Sequence, residues 1–63
     1  MGYKLKEVRE EKRMTQEELA AKSGVSRQTI VAIETDPNYN TTFNTLVKLS
    51  DALETPIDNL FLR

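Results

Sequence analysis

The sequence predicts an all-α fold, a compact bundle of five helices that occupies residues 1–63 as a single domain. Three observations carry that expectation. Apolar residues recur at helical spacing along the chain. Ser or Thr start signals stand ahead of the apolar stretches. Gly and Pro occur only twice each, so helices can run uninterrupted. The only strand-like stretch, Thr29, Ile30 and Val31, is too short and has no partner.

Each helix has its own warrant. Leu5 and Val8, with the stem of Lys12, fall on one face, and charged residues fill the rest, so residues 4–13 read as an amphipathic first helix. Thr15, Gln16, Glu17 and Glu18 form a capping-box sequence. Thr15 can accept from the backbone N–H of Glu18, whose side chain can reach back. That box starts a second helix over 16–23, and Gly24 suits the left-handed position that ends it. Ser26 caps a third helix that runs to residue 34 or 35, with Ile30 and Ile33 on its inner face. Residues 36–40 form a loop by composition. Thr42 caps a fourth helix whose apolar contacts are Phe43, Leu46, Leu49 and Leu53. Thr55, Pro56 and Asp58 give the start of a short fifth helix through Leu60 and Phe61.

Composition narrows the function. A 63-residue chain has a small core and no room for a catalytic cleft between two layers. Scaffolds of this size lean on disulfides, a metal or a partner subunit. Cys and His are absent, which excludes disulfides and leaves zinc only carboxylates; no metal and no cofactor is expected, and a partner subunit remains. The acidic pairs Glu10–Glu11 and Glu17–Glu18 do not make catalytic dyads, because neighbours on a helix point about 100° apart. The chain is therefore expected not to be an enzyme. Nine basic residues face ten acidic ones, which argues against a general polyanion coat. Their placement is uneven. Residues 1–34 hold seven basic and six acidic residues, and 35–63 hold two and four. Lys4, Lys6 and Glu7 interrupt any apolar start, and no apolar run is long enough for a membrane span, so a cytoplasmic location is expected. Asn40, Thr41 and Thr42 fit a glycosylation sequon only by accident in that setting.

The informative stretch is 16–34. Leu19 and Ala20 face inward, and Ala20 sits where the second and third helices cross. Gly24 permits the tight turn that sets the steep angle between them. Val25, Ile30 and Ile33 pack the third helix back on the others. The outer face then carries Ser26, Arg27, Gln28, Thr29, Val31 and Ala32.

From Gln16 to Glu34 the sequence resembles the helix-turn-helix of the phage lambda-type repressor and Cro proteins, the Xre family. Residues 42–53 and 56–61 resemble that family's fourth and fifth helices, so the resemblance covers nearly the whole chain. The loop beginning at Thr35, Asp36 and Pro37 differs from the short Gly-containing or basic turn of many relatives.

The resemblance implies a transcriptional regulator, most simply a repressor, whose recognition helix (about 26–34) enters the major groove of operator DNA. Arg27 and Gln28 are the candidates for base contacts, since Arg matches guanine O6/N7 and Gln matches adenine N6/N7. Ser26 and Thr29 are candidates for a phosphate or a thymine methyl, and Ser26 already has a role as cap. Gln16, at a helix N-terminus, is a candidate phosphate contact. Asn38, Asn40, Thr41 and Thr42 are further phosphate candidates that also read as turn and cap residues. Glu34 ends the third helix, where the macrodipole disfavours a negative charge, and the resemblance pairs it with Arg9 as a structural ion pair.

A homodimer on a pseudo-palindromic site is expected, because one recognition helix reads few base pairs. Ile57, Leu60, Phe61 and Leu62 crowd the C-terminal end and are its candidate interface. The same scaffold also suits a different task, that of an antitoxin or accessory subunit that holds another protein. No small-molecule or membrane partner is indicated.

Overall fold

The computed structural model describes residues 3–60, and in it four α-helices are followed by one 3-10 turn. They are α1 Leu5–Glu11, α2 Gln16–Ser23, α3 Arg27–Thr35 and α4 Phe43–Leu53, with the turn at Ile57–Leu60.

Three helices begin where a hydroxyl satisfies an orphan backbone N–H. At α2 the capping box is complete. Thr15 Oγ1 accepts from the Glu18 N–H at 3.0 Å, and Glu18 Oε1 accepts from the Thr15 N–H at 2.8 Å. Ser26 Oγ accepts from the Thr29 N–H at 3.2 Å, and Thr42 Oγ1 from the Thr45 N–H at 3.2 Å. Helix α2 stops at Gly24, whose φ is 76° and whose N–H donates to Ala20 O at 2.9 Å. A Cβ at Gly24 would meet nothing within 4 Å, so the backbone angle, not crowding, calls for glycine. Helix α3 gives way at Asp36, which takes an extended conformation ahead of Pro37.

Three expectations are corrected. The first helix is shorter than 4–13. Arg13 turns to φ 58°, which takes the chain out of the helix, and Met14 N–H then closes on Arg9 O at 3.1 Å. Lys12 is exposed, and the third inward residue of α1 is Arg9. The fifth helix is a 3-10 turn among the described residues. Thr55 Oγ1 donates to Leu53 O at 3.0 Å instead of capping, and Asn59 N–H bonds back three residues to Pro56 O at 2.9 Å. Phe43 is 69 % exposed, whereas Leu46, Leu49 and Leu53 are buried. At 100° per residue Phe43 stands about 90° from the mean direction of the buried residues of α4, so helical geometry turns it outward.

All four helices and the turn contribute to one core. Its members are Leu5, Val8, Leu19, Val25, Ile30, Ile33, Leu49, Ala52, Leu53 and Leu60, with Tyr3, Met14, Ala20 and Tyr39 at the margin. Helix α2 lies between α3 and α4, α1 leans on α3, and the turn closes against α4. Leu60 is 0 % exposed, so its side chain belongs to this core and not to an outer apolar surface. Phe61 and Leu62 lie outside the described residues; of the four candidate interface residues, only Ile57 is described and partly open to solvent. Two bonds tie distant segments together. Lys4 N–H donates to Leu60 O at 2.8 Å, and the Tyr3 hydroxyl donates to Tyr39 O at 2.9 Å.

Candidate nucleic-acid interface

Helix α3 has two faces with separate duties. Ile30 and Ile33 are buried, at 0 % and 2 % exposure, and fix the helix to the core. On the other side Ser26, Arg27 and Gln28 are exposed, and Thr29, Val31 and Ala32 are half-buried. Arg27 and Gln28 are the first two helical residues, where side chains project beyond the helix end and the positive end of the macrodipole lies. Ser26 and Thr29 have internal work: besides the cap, Ser26 Oγ donates to Thr29 Oγ1 at 2.9 Å. Their remaining lone pairs stay free, because each hydroxyl has two.

Arg27 has a neighbour that sequence reasoning missed. Its Nε lies 3.4 Å from Glu17 Oε2, and both side chains are more than half exposed, at 56 % and 69 %. Glu17 is ten positions away and on another helix, so no helical spacing links the two. Only the packing of α2 on α3 brings them together.

A polar cluster lies at the other end of α3. Arg9 Nε donates to Glu34 Oε2 at 2.7 Å and Arg9 Nη2 to Glu34 Oε1 at 3.1 Å, a two-pronged pair between α1 and the end of α3. Arg9 Nη1 donates to Met14 O at 2.7 Å. The Glu34 side chain is only 2 % exposed and that of Arg9 11 %. The hydrogen bond to Glu34 raises the Arg9 guanidinium further above its usual range; burial pulls the other way, and the charges of Glu34, Glu10 and Glu17 add to the rise. Arg9 therefore carries its charge throughout.

Gln16 enters the same cluster. Its Nε2 donates to Glu34 Oε1 at 3.0 Å. A carboxylate only accepts, so the amide must turn its NH2 group toward Glu34, which leaves the Gln16 carbonyl and one N–H for other partners. The resemblance cast Gln16 as a phosphate contact, and its first structural duty is this link from α2 to Glu34. Among the described residues no buried side-chain nitrogen or oxygen lacks a hydrogen-bond partner.

The loop after α3 is organised by its own acid. Asp36 Oδ1 accepts from the Asn38 N–H at 2.9 Å, and Asp36 O from the Tyr39 N–H at 3.0 Å. Asn38 and Asn40 are exposed and Thr41 is half-buried. Thr42 is exposed and is engaged as the α4 cap, with its hydroxyl 2.9 Å from that of Thr45. These four residues thus lie on one short connection between α3 and α4. Among the described residues no group of acidic side chains is placed to hold a metal ion, and no helix is long and apolar enough to cross a membrane.

The arrangement matches known sequences over almost its full length. The profile of the family described as helix-turn-helix matches residues 5–60. An uncharacterized HTH-type transcriptional regulator of Methanocaldococcus jannaschii is 40 % identical over 62 residues, covering 98 % of this chain and 92 % of that protein. Two uncharacterized HTH-type transcriptional regulators of Archaeoglobus fulgidus are 39 % and 37 % identical, over 98 % of this chain and 87 % and 86 % of theirs. With the capped α2, the left-handed Gly24 and the outward face of α3 in place, the chain belongs to the lambda repressor-like helix-turn-helix family.

Proposed function

We propose that this chain is a transcription regulator that binds a specific operator in double-stranded DNA, with α3 in the major groove. The observation that carries this reading is the division of labour on α3: two buried isoleucines lock one face while Arg27 and Gln28 are exposed at its start. The relatives named as transcriptional regulators point the same way. In this reading Arg27 and Gln28 contact base edges, and Ser26 and Thr29 approach the adjacent phosphate or a thymine methyl. The free N–H of Gln16 and the loop residues Asn38, Asn40, Thr41 and Thr42 position the backbone. Occupying a promoter site in this way represses transcription.

Size favours a dimer on DNA. Helix α3 has nine residues, hence a length of about 13.5 Å, enough to follow about four base pairs. The chain is 25 Å in its longest dimension, less than the roughly 34 Å of one DNA turn. Two copies about a two-fold axis would place two recognition helices in successive major grooves and double the readout.

Selection of bound duplexes from random DNA tests the reading. The expected result is an enriched motif with two-fold symmetry. Arg27→Ala and Gln28→Ala should each relax one position per half-site and weaken specific binding by about 1–3 kcal/mol. An unenriched pool, or a motif that both variants leave untouched, would overturn it.

A further inference from the structure

The first three residues of α2 each have a different partner. Gln16 bonds to Glu34 and Glu18 to Thr15, so both are engaged within the scaffold. Glu17 meets Arg27 at the start of α3, the opposite end from Glu34. An acid within 3.4 Å of Arg27 must border whatever surface Arg27 presents. Next to DNA phosphates such a charge costs affinity, and the α2 N-terminus already has Glu18 to complement its dipole.

Arginine geometry gives the acid a use. The atom of Arg27 nearest Glu17 is Nε. An acid beside Nε leaves the far end of the guanidinium, made by the two Nη groups, open to another partner, and that end is a fork that fits guanine O6 and N7. A free arginine must give up many rotamers to make that contact, and one steered beforehand gives up fewer.

We propose that Glu17 is a specificity-determining positioning residue. It orients the Arg27 guanidinium for a guanine edge, and its charge discourages binding to DNA that does not offer one. This inference rests on the DNA-reading role of α3. It makes Glu17 act through Arg27, without touching a base itself.

The test measures affinities of the full chain, at one salt concentration, for the selected operator, for its single-base variants and for random duplex DNA. Wild type, Glu17→Ala, Glu17→Asp and Arg27→Ala are compared. Arg27→Ala identifies the base that Arg27 reads. At that base alone, Glu17→Ala should lose about two- to fivefold of the discrimination, the span open to an exposed ion pair. It should also bind random duplex more tightly than wild type, and Glu17→Asp should recover part of both effects. A purely structural role at the α2 N-terminus would shift stability and leave base preference unchanged. If Arg27→Ala flattens one position and Glu17→Ala flattens none, the positioning role is wrong and the DNA-reading role stands. If Glu17→Ala tightens binding equally to every duplex, the carboxylate only repels and the positioning role is again wrong. If Arg27→Ala alters no base preference, the recognition role of Arg27 fails, and the role of Glu17 with it.

Discussion

At the scale of single residues, the feature with the largest expected energetic weight is the Glu34 carboxylate, almost fully buried and accepting three hydrogen bonds from Arg9 and Gln16. Removing it leaves a guanidinium in a shielded place without its counter-charge. Glu34→Ala should therefore destabilise the chain by about 3 kcal/mol, well beyond the roughly 0.5 kcal/mol of an ordinary surface change. Urea unfolding of Glu34→Ala, Arg9→Met and the double variant checks this: the double variant should lose less than the sum of the two single losses. Strict additivity would mean that the pair contributes no coupling. The rise of Arg9 above its usual range has a definite sign for pH dependence. A cation with a raised pKa contributes stability that is complete below its unfolded-state value and is lost only as pH rises through its folded-state value. Both values lie far above neutrality, so Arg9 itself adds no slope to stability at neutral pH. The ends of this pair were readable in the sequence, from an acid at a helix C-terminus and the family resemblance. Gln16 as a third member was not, because a polar first-turn residue has many possible partners and the sequence does not rank them.

At the scale of elements, the helix starts were legible and the helix ends less so. Thr15, Ser26 and Thr42 cap by the same chemistry, a hydroxyl accepting from the third residue's N–H, and that chemistry has a residue signature. Ends at left-handed residues are announced only when the residue is glycine. Gly24 is, but Arg13 and Glu54 take φ 58° and 52° with no such signature. These angles give a paired prediction for thermal melts. Gly24→Ala should cost about 1 kcal/mol through the left-handed backbone alone, since its Cβ would have free space. Glu54→Gly should stabilise by up to about 1 kcal/mol, because it relieves that strain and removes an acid from the negative end of α4. A Glu54→Gly variant that melts below wild type would contradict the strain argument. The sequence also overstated the last element. Proline after threonine is a helix-start signal, but four residues closed by three-residue hydrogen bonds make a 3-10 turn. Phe43 misled by type: an aromatic at a helix start reads as core until its direction is compared with that of Leu49 and Leu53.

At the scale of the whole molecule, the candidate surface splits into what the fold assembles and what it separates. Arg27, Gln28, Ser26 and Thr29 share the start of α3, while the loop candidates sit beyond its far end on the connection to α4. The apolar interface expected at the C-terminal end loses Leu60 to the core. Among the described residues only Ile57 is left of that interface, and the two half-sites of the DNA are expected to drive pairing. Sedimentation at micromolar concentration should find mostly monomer, and the same chain with its selected duplex should give two copies per DNA. One copy on a single half-site at saturation would rule out the two-fold arrangement. The central claim is that the exposed face of α3 reads sequence. Its most direct test is the ratio of affinities for the selected duplex and for a duplex of scrambled sequence, at one fixed salt concentration. The account predicts a ratio of about a thousandfold or more, which falls toward one when Arg27 and Gln28 are both replaced by alanine. A wild-type ratio near one, with both duplexes bound alike, would contradict it.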